Sequence, residues 1–245
     1  MTRAAHRFVV AIIVAASGFS APADEQANAV GKLIPWLLDE GAALKGIRFA
    51  DVISATSGRR VIPIDRSDPV DQRVLALLGS ALDQVLAELN APESPTRKAR
   101  RVNEMSSHFE TAIRKHLKAT AGLTCDFPKT ADGKQQRSGY PDLRIADTAS
   151  KRVYYLDPKL FAAGSRNSSF RTFYFEPKRA TNKVTEDARH LIAGIEHERA
   201  ADGAVHFARW DLIDLSEFRV KLKAEFEGSN ADMYRAGAVV GSSPR

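Results

Sequence analysis

A single cysteine among 245 residues, Cys125, leaves no intramolecular disulfide to form. The paired Cys and His spacings of a zinc site are missing as well. There is no glycine-rich phosphate loop, and no Gly-x-Ser-x-Gly elbow supports a serine hydrolase. Internal repeats and low-complexity tracts are absent, which sets aside solenoids and tail-like interaction segments. The apolar run 8–16 (FVVAIIVAA) is too short to span a bilayer.

What remains is an ordinary globular composition, 44% apolar and 27% charged, on a chain long enough to bury a substantial core. The run 8–16 follows Arg3 and Arg7 and precedes the small residues Ala21-Pro22-Ala23. That is the layout of a secretory leader spanning 1–23, and it predicts a periplasmic or secreted mature chain with no membrane segment. The other reading of the same residues is an apolar amino-terminal helix in a cytoplasmic protein. Removing Arg3 and Arg7 lowers the net charge from +6 to +4, so a modest basic excess persists, suited to an anionic partner.

Periodicity predicts helices first. Residues 27–40 read as a short helix with Pro35 inside it, and 59–65 as an extended segment. Over 70–89, Val74, Leu75, Leu78, Leu82, Val85, Leu86 and Leu89 recur at helical spacing behind Asp68-Pro69. The stretch 90–96, with two prolines, is a joint, and 24–97 reads as a mainly helical amino-terminal region. A second long helix is expected over 98–117, with Val102, Met105, Phe109, Ile113 and Leu117 on one stripe. Glu110 lies beside that stripe, as a solvated flank or as a carboxylate reaching a site.

Strands are then expected at 123–128, 140–147, 152–157 and 169–176. The segments 189–196 and 204–213 pair as a hairpin about Asp202-Gly203, although 189–198 reads equally as a helix. A helix capped by Ser216 should run to about Phe226, and 229–245 form a tail. Helices followed by strands with helices packed on them indicate a mixed α/β or α+β domain.

Alternation puts Val153, Tyr155, Asp157 and Lys159 on one face of their strand, with Tyr154 and Leu156 on the other. Antiparallel pairing across 147–151 would bring Asp142 beside Asp157. Two carboxylates and an ammonium at one sheet edge can hold a hard divalent cation. Pro141-Asp142, fourteen residues, then Asp157-Pro158-Lys159 resembles the PD-(D/E)xK nuclease superfamily, the restriction-endonuclease-like fold. The segments 167–178 and 184–191 also resemble parts of type II restriction enzymes, and the likeness covers about 98–226.

The resemblance implies a mixed β-sheet flanked by helices, with a nuclease core over 98–228. It implies Mg²⁺ or Mn²⁺ held by Asp142 and Asp157 with help from Glu110, and Lys159 orienting the attacking water. It implies hydrolysis of DNA, with a homodimer as one possible assembly. Pro158 departs from the pattern and requires the strand to end, bulge or lie at an edge. Arg166, Arg171, Lys178, Arg179 and Lys183 form the basic set suited to phosphate contacts, or else a solvated face. His190, alone beside Leu191, reads as structural. Two rival functions stay open: a nucleic-acid-binding module of this fold without catalysis, and a secreted structural or interaction domain.

Overall fold

The computed structural model describes residues 23–39, 44–98, 105–169, 172–200, 203–235 and 237–241. The chain forms two compact units, one from Gly46 to Lys221 and one from the residues on either side of it. The smaller unit contains helix α1 (Ala23–Asp39), with Pro35 inside it, and the single turn α5 (Asn230–Met233). Ser229 and Asp232 cap that turn reciprocally. The expected leader falls on residues 1–23, of which 1–22 lie outside the described residues. No helix among the described residues is long and apolar enough to cross a membrane.

The larger unit starts with the two-residue strand β1 (Ile47–Arg48), α2 (Phe49–Ser57) and α3 (Pro69–Asn90). A 3-10 turn at Pro95–Lys98 leads toward α4 (Ser106–Ala119). Then come β2 (Leu123–Asp126), β3 (Leu143–Asp147), β4 (Val153–Ala162), β5 (Arg189–Arg199), β6 (Val205–Asp214) and β7 (Arg219–Val220). Strands β2-β3-β4-β5-β6 form one sheet in that order, antiparallel except for the parallel pair β4/β5. The fold is α+β, a mixed five-stranded sheet flanked by helices.

Helix α3 begins where the sequence places it. Asp68 accepts from Val70 N at 2.8 Å and Asp71 N at 3.0 Å, and Pro69 supplies a first turn that needs no N–H. Its stripe of Val74, Leu78, Leu82, Val85 and Leu89 is buried against Phe109, Ile113 and Leu117 of α4. Both helices lie on the sheet face that carries Ile145, Tyr154, Leu156, Leu191 and Phe207. Each such side chain contributes roughly 1.5–3 kcal/mol by leaving water. The opposite face carries Val153, Tyr155 and Ile192, covered by Phe49, Ile53, Tyr140, Phe173, Phe175 and Phe218. Tyr154 and Tyr155 thus divide between the two faces as alternation requires.

Buried Asp71 joins α3 to the sheet. It accepts from the Tyr154 hydroxyl at 2.5 Å, Arg189 Nε at 2.9 Å and Arg152 Nη1 at 3.1 Å. The starts of β4 and β5 are therefore tied to one carboxylate.

Several expectations change. The segment 59–65 is extended but forms only one bridge, Val61 with Ala188. The stretch 169–176 forms no strand over its described part, because Phe173 and Phe175 pack against Phe49 instead of pairing backbone. The segment 189–198 is a strand and not a helix, paired on both sides with its apolar residues divided between two cores. No helix starts at Ser216: Asp214 accepts both Ser216 N and its hydroxyl, which occupies the expected cap, and Arg219–Val220 pair with Ile47–Arg48. Helix α4 is seen from Ser106, while Val102 lies outside the described residues.

The strand bearing Asp157 runs on through Pro158 to Ala162 in unbroken parallel register with β5. Its pairing with β3 stops at Leu156, so Pro158 sits where β4 has a partner on one side only. Of the three options for a proline there, the edge is the one realised.

Candidate active site

The β3–β4 hairpin is closed by Asp147, whose carboxylate accepts from Ser150 N at 2.8 Å and from the Ser150 hydroxyl at 2.6 Å. Lys151 takes the positive φ, 62°, that completes the turn. Arg73 of α3 holds the other Asp147 oxygen at 2.7 Å. With the turn fixed, Leu143 lies opposite Leu156, and one step further Asp142 meets Asp157 on the face of Tyr155.

The two carboxyl groups crowd one another. Burial, then the charge and close approach of Asp157, push the Asp142 carboxyl up to about 8, so the pair retains a proton near neutrality. Asp157 is buried, and Lys159 Nζ lies 2.5 Å from its Oδ2. Apart from that charge contact, Oδ2 has no hydrogen-bond donor. The aspartates and Lys159 line a cavity of about 240 Å³ whose far wall includes Asn182 and Lys183, with Tyr174 and Lys178 also bordering it.

Glu110 stands on α4, its carboxylate 2.9 Å from Arg137 Nη2. It does not line the cavity, yet its charge adds to the forces raising Asp142. Arg137 also lies 4.7 Å over the Phe127 ring, and its carbonyl accepts from Lys183 Nζ at 3.4 Å.

Could these residues hold a hard cation? A shared proton between crowded carboxyls and a buried oxygen short of donors are what a divalent ion would replace, and the donors are oxygens of the kind Mg²⁺ prefers. Among the described residues no three His, Cys, Asp or Glu side chains gather into a metal-holding group. The residues that fit such an ion are thus the Asp142–Asp157 pair.

The basic set divides. Arg166 pairs with Asp211 at 3.1 Å, and Lys178 at the cavity rim pairs with Glu176 at 2.8 Å. Arg179 is exposed, and Arg171 lies outside the described residues. Lys183 is not a surface residue: it is 1% exposed and belongs to the cavity. Burial lowers its ammonium's pKa, opposed by the charges of Asp142, Asp157 and Glu110.

His190 is structural, as its isolation in the sequence implied. Its Nδ1 meets the Tyr140 hydroxyl at 2.7 Å, and burial lowers it to about 3, so the ring is neutral. Sequence reasoning missed Tyr140 as part of the cavity lining and Arg137 as the link to Glu110. Only the position of Tyr140 beside Pro141-Asp142 offered a signal.

A mixed sheet that brings Pro-Asp and Asp-x-Lys together on adjacent strands, with an acidic helix behind them, defines a restriction-endonuclease-like nuclease core. The chain belongs to the Type II restriction enzyme MjaV family, which it matches over residues 42–237. Over 209 residues it is 32% identical to Type II restriction enzyme MjaV of Methanocaldococcus jannaschii, covering 80% of this chain and 89% of that protein.

Proposed function

We propose that the protein is a divalent-metal-dependent endonuclease that hydrolyses DNA phosphodiester bonds, with Mg²⁺ or Mn²⁺ at Asp142 and Asp157. The observation that carries this reading is that Asp142, Asp157 and Lys159 line one cavity, with Lys159 Nζ against the Asp157 carboxylate. The bound ion would supply Lewis acidity and a template for in-line attack on phosphorus. Lys159 holds its ammonium against Asp157, where it can orient an attacking water and offset charge building on the phosphoryl oxygens. Glu110, anchored by Arg137, orients water at the edge of the same site. Lys178 and Arg179 at or near the rim position the duplex through phosphate contacts.

Cutting both strands calls for two such centres, so pairing of two copies on DNA is part of the proposal. Where the enzyme acts turns on residues 1–23. A restriction role needs the cytoplasm, whereas removal of that leader would deliver the enzyme to DNA outside it. Amino-terminal sequencing of protein from fractionated cells separates the two.

Incubation of supercoiled plasmid with the protein in Mg²⁺ or Mn²⁺, beside Asp157→Ala and Lys159→Ala, tests the activity. Nicked or linear product from the wild type alone, abolished by a chelator, is the expected result. Retarded plasmid without cleavage would instead favour a binding module.

A further inference from the structure

Lys183 is nine-tenths and more buried, and its ammonium feels the charges of Asp142, Asp157 and Glu110 without a short hydrogen bond to any of them among the described residues. An ammonium has three donors. Among the described residues it makes one hydrogen bond, a long one of 3.4 Å to the Arg137 carbonyl. Its neighbour Asn182 is 7% exposed and repeats the pattern. Asn182 Oδ1 accepts from Val184 N at 2.9 Å, which fixes the amide's orientation and leaves Nδ2 as the outward group. That Nδ2 is buried without an acceptor.

Two adjacent side chains thus present spare donors, one of them charged, on a wall of the cavity that holds Asp142, Asp157 and Lys159. Buried donors without acceptors are costly, and they persist where a ligand completes them. The missing partner is an acceptor-rich anion small enough to enter the cavity. Resting on the endonuclease reading above, we propose that Asn182 and Lys183 form the grip for the scissile phosphate, with Lys183 a second catalytic ammonium beside Lys159.

In this arrangement the β3–β4 hairpin supplies the acids and one amine, Asp142 just before β3 and Asp157 and Lys159 on β4, while the segment before β5 supplies further donors. A phosphodiester entering between them meets Lys159 and Lys183 from different elements. Its non-bridging oxygens gain charge in the transition state, where fixed donors act most strongly. The pair Asn182-Lys183 lies outside both halves of the Pro-Asp and Asp-x-Lys pattern, so the motif does not assign it.

The experiment compares wild type with Lys183→Met, Lys183→Ala and Asn182→Ala. Folding is checked by thermal melting, duplex binding is measured with Ca²⁺, and single-turnover cleavage of plasmid is measured with Mg²⁺. Lys183→Met keeps the buried stem and removes only the charge. It is expected to bind within threefold of wild type and cleave at least about 100-fold more slowly, in line with loss of one transition-state donor. Asn182→Ala should lose about tenfold, a smaller effect suited to a neutral donor. Ethylammonium should restore part of the Lys183→Ala rate, which a merely structural lysine would not permit. Cleavage by Lys183→Met within threefold of wild type overturns the assignment, as does a slow Lys183→Ala that ethylammonium leaves unchanged. A wild type that binds plasmid but never cuts it in Mg²⁺ or Mn²⁺ removes the endonuclease reading, and the assignment falls with it.

Discussion

Asp142 and Asp157 lie one residue beyond the last positions at which β3 pairs with β4, and the charge of Asp157 bears on the buried Asp142 carboxyl. Crowded in this way, the pair holds a proton that two separated carboxylates would release. A cation entering the site would take over the proton's role.

The pH dependence of stability follows. Asp142 titrates near 8 in the fold against an ordinary 3.8. The folded state therefore binds the extra proton between those values, and stability falls as pH rises through them. His190 acts in the opposite sense, its depressed value of about 3 against 6.5 favouring the fold as pH rises toward 6.5. The window from 6.5 to 8 lies above the ordinary value of His190 and within the range over which Asp142 loses its proton. In a chelator, the melting temperature should decline across it, and Mg²⁺ should raise that temperature more at pH 8 than at pH 6.5. An equal Mg²⁺ effect at both values would contradict the coupling.

Asp142→Asn keeps the shape and removes the charge. At pH 8 without metal it should melt a few degrees higher than wild type, since two crowded carboxylates become one. Its plasmid cleavage should fall by at least about 1,000-fold, the scale expected when a metal site fails. Parallel melting curves and cleavage assays check both halves of the expectation.

Asp71 serves the fold and not the chemistry. Asp71→Ala would leave the buried Tyr154 hydroxyl and the largely covered Arg189 Nε without this acceptor. The expected cost is about 3–5 kcal/mol in urea unfolding, the range for breaking a buried charge network. A loss below 1 kcal/mol would show that water replaces the carboxylate.

Arg179 tests the outer surface. It is exposed and follows Lys178, a residue that borders the cavity. Arg179→Ala should weaken duplex binding at all sequences and reduce the slope of log affinity against log salt by about 1. The same slope should be unmoved by Lys183→Met, because Lys183 does not face bulk solvent.

Much of this was legible in advance. The two-residue period of 153–159 placed Asp157 and Lys159 on the correct face, and Asp68-Pro69 fixed the start of α3 because caps are local chemistry. Lys183 was read as a surface cation because it is flanked by polar and charged residues. Its burial follows from the fold, which brings it to the same cavity as Tyr140, Asp142 and Asp157, a meeting that no window of sequence contains. Ser216 misled for a related reason, since its hydroxyl was claimed by Asp214 behind it. The segment 169–176 has strand composition, but its phenylalanines are drawn into the cluster around Phe49.

Arg137 holds two groups of the site at once. Its guanidinium secures an acid on α4, while its own backbone oxygen steadies the hidden amine. A shift of this one loop residue would turn both groups at once. Contact by a duplex at residues 136–138 could thus set the trigger and the grip together, with no long-range relay through the sheet.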